Sequence, residues 1–79
     1  VTVDRKKIED AVLALLQLGL YDGNRAWKTF DWDIMDSLHE KGLISNPAGK
    51  AKSVALTERG IVESERLFTQ LFGSDDARE

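Results

Sequence analysis

A single, mostly helical α+β domain is predicted by three observations. Apolar residues recur at helical spacing in three stretches, each introduced by an Asp or Thr able to cap it. Two short strand-like runs flank a break at residues 46–49, a cluster of Asn, Pro, Ala and Gly. No repeat, low-complexity tract or linker divides the chain, so the order helix, weak strand, helix, hairpin, helix accounts for all of it.

From Asp4, whose carboxylate can accept from free amides of a first turn, Ile8, Ala11, Val12, Leu15 and Leu16 recur at helical spacing. Leu13 and Leu20 widen that stripe beyond what a surface helix needs, so this helix is expected to sit centrally or to meet another chain. Asp22-Gly23-Asn24 is turn chemistry and must end the helix. Residues 25–30, aromatic-rich and loosely alternating, predict a weak strand. Asp31 is the expected N-cap of a second helix running to about Lys41, with Phe30 and Met35 placed as a hydrophobic staple. Trp32, Met35 and Leu38, with Ile34, form its expected apolar side; Asp33, Asp36, Ser37 and Glu40 are left outward, and Gly42 is the left-handed stop. Residues 43–45 and 52–56 are expected to pair as a hairpin. Thr57 then caps a last helix carrying Ile61, Val62, Leu67, Phe68, Leu71 and Phe72 and stopping at Gly73. The expected domain is residues 1–73, with 74–79 a charged, flexible tail.

Composition narrows the functional classes. The chain has 79 residues, 42% of them hydrophobic and 32% charged, and carries a net charge of −3. These are ordinary values for a globular domain, of a size that buries only about 60% of its unfolded surface. With no cysteine, disulfides, thiolate nucleophiles and Cys-based zinc sites are excluded. The longest apolar run, residues 11–16, is too short to span a bilayer, and the N-terminus has no signal-peptide pattern, so a cytoplasmic protein is expected. No cofactor is implied. His39 follows Asp36 by one helical turn, but no nucleophile or third ligand accompanies them, and an enzyme is not expected.

The stretch Asp36-Ser37-Leu38-His39-Glu40-Lys41-Gly42-Leu43-Ile44, a hairpin, and then Leu56-Thr57-Glu58-Arg59-Gly60 resembles the recognition-helix end, wing and final-helix start of MarR-like and PadR-like regulators. That resemblance implies a winged helix with a β-hairpin wing and a C-terminal helix, and in such regulators the first and last helices often build a dimer. Two departures bear on function. Where the MarR pattern has Asp-x-Arg near the wing tip, this chain has Ala48 and Lys50, and no separate short helix precedes the second one. The whole chain also resembles a small bacterial family of uncharacterised domains sharing Asp-Gly-x-Arg-Ala-Trp-Lys-x-Phe-Asp-Trp, here 22–32, and Gly-Lys-Ala-Lys-Ser, here 49–53.

Three sets of candidate residues follow. Residues 31–41 hold four acids against one base, a poor surface to press into a phosphate-lined groove, so Asp33, Asp36 and Glu40 are candidates for a protein partner. Trp27 and Trp32 join them as aromatic anchors, with burial in the core as the alternative. Lys50 and Lys52, with Arg25 and Lys28 flanking, are candidates for nucleic-acid phosphate; ordinary solvated wing residues are the alternative, and DNA is disfavoured by the acidic second helix. Leu13, Leu20, Leu67, Phe68, Leu71 and Phe72 are candidates for a homodimer interface, against packing of the two helices within one chain.

Overall fold

The computed structural model describes residues 2–28 and 30–73; the expected tail at 74–79 lies outside the described residues. Three helices and two short strands follow in the order α1 (Arg5–Leu18), β1 (Arg25–Trp27), α2 (Trp32–Glu40), β2 (Ser53–Ala55) and α3 (Glu58–Phe72). Each helix starts where its cap requires. The Asp4 carboxylate accepts from the Lys7 amide, Asp31 accepts from the amides of Asp33 and Ile34, and the Thr57 hydroxyl accepts from the Gly60 amide. Such caps satisfy amides that would otherwise lack partners, at about 1 kcal/mol each.

α2 ends in a complete left-handed stop. Gly42, at φ 79, lets its own amide reach the His39 carbonyl and the Leu43 amide reach the Leu38 carbonyl. The chain thus reverses within two residues and lays Leu43 beneath the start of α3. There the Thr57 hydroxyl donates to the Gly42 carbonyl at 2.8 Å, and the Thr57 amide donates to the Leu43 carbonyl at 3.0 Å.

The expected hairpin is present in part, and the regular ladder of the sheet has a different partner. β2 pairs antiparallel with β1, Arg25 opposite Ala55, Ala26 opposite Val54 and Trp27 opposite Ser53. The segment at 43–45 lies along the other side of the β2 region, with the bridge Ile44 to Leu56 and the Ser45 amide donating to the Ala55 carbonyl at 2.8 Å. The pairing stays short for local reasons. The Ser45 hydroxyl, rather than a backbone carbonyl, accepts from the Ala55 amide, the Asn46 side chain accepts from the Ala48 amide to form a turn, and Pro47 has no amide to offer a ladder.

α1 packs chiefly on α3, and the core gathers Leu13 and Leu16 of α1, Met35 and Leu38 of α2, Ile44, Val54, Leu56, and Leu67 of α3. Burial of such side chains contributes roughly 1.5–3 kcal/mol each. The buried stripe of α1 is Glu9, Val12, Leu13 and Leu16, turned from the expected one, so Ile8 and Leu15 are exposed. α2 differs similarly. Ile34 is buried, whereas Trp32, expected on the apolar side, faces out. In α3 the buried positions are Gly60, Ser64 and Leu67; the Ser64 hydroxyl donates to Gln17 Oε1 at 2.8 Å, a polar link between α1 and α3 inside the core. Among the described residues, no helix is long and apolar enough to cross a membrane.

Candidate functional site

β1 ends at Trp27, and the chain turns past Phe30 into α2. Opposite this turn stands the loop that brings the chain from Pro47 to β2. Between them opens a cleft of about 580 Å³. Trp27, Phe30, Trp32, Met35 and Pro47 supply its apolar lining; Lys28, Lys50 and Lys52 supply charge. Among the described residues, no carboxylate lines it. In a chain of net charge −3, that is a local inversion of sign.

Both tryptophans are 54% exposed. Burial in the core, the alternative for this cluster, is therefore overturned for Trp27 and Trp32, while Phe30 is half-buried against the core. Trp27 is nonetheless packed on one face: its ring stacks on Tyr21 with centroids 5.0 Å apart and planes 24° from parallel. An ordered, half-exposed aromatic ring offers contact area without a large loss of side-chain freedom on binding.

A second depression, of about 250 Å³, shares Trp27 and Phe30 with the cleft and continues from it along α1. Its remaining lining is Leu15, Leu16, Leu18, Gly19 and Ala26, without a charged side chain. Leu18 is 70% exposed. The two depressions make one apolar strip from the end of α1, across Trp27 and Phe30, to Trp32 at the start of α2.

The four candidate cations have different situations. Arg25 is engaged within the chain: its Nε and Nη2 donate to the Ser53 hydroxyl at 3.0 and 2.7 Å, and Nη2 also donates to the Ser53 carbonyl. Its guanidinium clamps the two-stranded ladder and leaves the set of outward contacts. Lys28 donates to the Gly49 carbonyl at 2.8 Å, which ties the loop to β1 and keeps the ammonium at the cleft. Lys50 and Lys52 are exposed.

On α2, Asp33 and Glu40 are exposed and Asp36 is half-buried; their spacing places them along one helical face, which Asp36, one turn after Trp32, brings close to the cleft edge without entering its lining. His39 is half-buried, and its Nδ1–H donates to the Ile44 carbonyl at 3.0 Å, fastening α2 to the following segment. Of the six apolar candidates for a dimer, Leu13 and Leu67 are buried within the chain, so neither presents a surface to a second copy. Leu20 and Phe68 are half-buried against the core, and only Leu71 and Phe72 are substantially exposed.

A buried glutamate, which helical periodicity assigned no role, sets the position of α2. Glu9 of α1 accepts from Arg5 Nε at 3.2 Å, from the Ser37 hydroxyl at 3.0 Å and from the Lys41 ammonium. Arg5 also reaches the Asp33 carbonyl. The Lys41 bond, helped by Ser37 and Arg5, holds the Glu9 carboxyl below the usual glutamate range, against burial, which acts the other way. The signal in the sequence was an acid placed within the run 9, 12, 13, 16. As lining of the second depression, Leu15 was missed because it continues the apolar pattern of α1 and looks like core, and Leu18 because it lies outside that pattern.

Fold and site together define a small, mostly helical α+β domain with an aromatic, lysine-rimmed cleft open to solvent. The family model described as "Domain of unknown function (DUF6429)" matches residues 4–74, and the chain belongs to that family. It is 54% identical over 70 residues to the uncharacterized protein y4hR of Sinorhizobium fredii, a match covering 89% of this chain and 95% of that relative. No solved structure matches.

Proposed function

We propose that the domain is a non-enzymatic protein-interaction module on a winged-helix scaffold, with the aromatic cleft as its anchor site. The observation that carries this reading is the pair of half-exposed tryptophans facing one cleft: apolar area of that kind left in water has a cost that association with a partner removes. The scaffold reading is supported by element order and by the bridge of Ile44 to Leu56, which sets the segment after α2 beside the β2 region. The acidic face of α2, Asp33, Asp36 and Glu40, is a second contact, for a basic part of the partner outside the cleft. Self-association through the exposed end of α3, Leu71 and Phe72, belongs to the same proposal.

A second reading, DNA binding through the loop before β2, is favoured by the exposure of Lys50 and Lys52. It is disfavoured by the four acids on residues 31–41, which would meet phosphate beside the same loop. Titration of the isotope-labelled chain with a mixed-sequence duplex, at low and at physiological salt, separates the two. The interaction-module reading expects no amide shifts at physiological salt, and it expects proteins captured from the host cell to be lost when Trp27 and Trp32 are replaced by Ala. Salt-sensitive shifts at residues 49–53 that vanish in the Lys50→Ala, Lys52→Ala variant would transfer the assignment to DNA.

A further inference from the structure

Resting on the interaction-module reading, we propose that the cleft takes an acidic peptide segment, one that seats an aromatic or aliphatic side chain between Trp27 and Trp32 and aims its carboxylates at Lys28, Lys50 and Lys52. The argument is one of charge complementarity and shape. The cleft is polarised: the strand end and loop on one side bring three ammonium groups, whereas α2 on the other brings the uncharged Trp32 and Met35. An occupant with a basic flank would meet the three lysines at close range. An acidic one exchanges water for charge-assisted contacts at a rim where Lys28 is already held in place by Gly49.

The neighbouring depression decides between peptide and nucleic acid. Lined by Leu15, Leu18 and Ala26, with Trp27 and Phe30 shared, it offers no cation among the described residues to a phosphate backbone that would continue out of the cleft. A peptide, by contrast, can continue there with a second apolar side chain, since its anchors and its charges alternate along one chain. Nucleobases could stack on the tryptophans, but their phosphates would then run over the apolar depression.

The two tryptophans of the chain are the two that face the cleft, so intrinsic fluorescence reports this site without a label. The full chain would be titrated with a short capped peptide having a central Phe flanked by Glu on both sides, with its Lys-flanked counterpart, and with a single-stranded and a duplex oligonucleotide. The expected result is a saturable emission change with the Glu peptide alone. Its affinity should fall about tenfold between low and roughly physiological salt, and by a similar factor in the Lys50→Gln, Lys52→Gln variant. Both lysines are exposed, so that variant keeps the fold, which its circular dichroism verifies. Equal or tighter binding of the Lys peptide would overturn the acidic class while leaving the interaction-module reading intact. A response to either oligonucleotide with none to the Glu peptide would overturn both. Silence of the Glu peptide up to about 1 mM overturns the acidic class, because even weak specific encounters are populated at that concentration.

Discussion

Glu9 shows how one side chain can position a site it does not touch. It sits on the buried stripe of α1, accepts from Ser37 and Lys41 of the α2 region, and fixes the helix whose other sides carry Trp32 and Met35 into the cleft. Replacement by Gln keeps the volume and some of the hydrogen bonding but removes the charge. Because Arg5 and Lys41 are substantially solvated, the expected loss is about 1–2 kcal/mol near neutral pH rather than the larger figure for a fully buried pair. The pH dependence has a definite sign. A carboxyl whose folded-state pKa is depressed contributes its full stability above the ordinary glutamate range, about pH 4–5, and loses it as pH falls through the lowered folded value. Urea midpoints for the native chain and for Glu9→Gln should therefore differ at pH 7 and converge toward pH 3. A gap that stays constant across that range would assign the role of Glu9 to packing instead of charge.

At the scale of elements, the junction of α2 and α3 makes the sharpest demand on sequence. Glycine inside a helix is ordinarily about 0.5–1 kcal/mol worse than alanine, so Gly60→Ala would stabilise a free helix. Here the first turn of α3 lies on the Leu43 backbone, and a Cβ at residue 60 would stand 1.9 Å from the Leu43 carbonyl oxygen. Gly60→Ala should accordingly destabilise by about 2–4 kcal/mol, several times the roughly 1 kcal/mol expected for loss of the cap in Thr57→Ala. Thermal unfolding reads this directly, at about 4–8 °C per kcal/mol for a domain of this size. An unchanged or raised melting temperature would mean that α3 can step away from Leu43 at little cost.

The same junction marks how far local sequence carries. Asp4, Asp31, Thr57 and Gly42 were legible because capping and left-handed stops depend on a residue and its near neighbours. The pairing beside 43–45 was legible in part, but the ladder of β2 with the distant β1 was not, because it is made by tertiary pairing. The stripe of α1 was misplaced because apolar residues occupy both sides of that helix, and the buried side includes Glu9, which hydropathy assigns to water. Trp27, Trp32, Lys50 and Lys52 were each legible as candidates from residue type. That they face one cleft was not, since its lining comes from the end of β1, the start of α2 and the loop before β2, segments whose separation in sequence carries no common period.

At the scale of the whole molecule, the open question of surface is whether one copy suffices. A chain of 79 residues hides a smaller share of its surface than a larger domain, and α3 leaves Leu71 and Phe72 45% and 46% exposed. Phe72 is ordered by an edge-to-face contact with Phe68 at 5.5 Å, so the two rings form one apolar patch near the end of the helix. A two-fold arrangement would bring that patch against its own copy, using one self-complementary surface and generating no open-ended assembly. Neither residue lines the cleft, so pairing there would leave the peptide site free. Sedimentation equilibrium should then give twice the chain mass of 8.8 kDa at about 100 μM, and the Leu71→Ser, Phe72→Ser variant should return the monomer with its circular dichroism unchanged. Trp32→Ala, which alters the cleft and not the end of α3, should leave the mass alone. Monomer at that concentration for the native chain would overturn self-association through α3. Dimer abolished by Trp32→Ala instead would show that copies meet through the cleft, in which case the same substitution should also change the peptide response in the fluorescence titration.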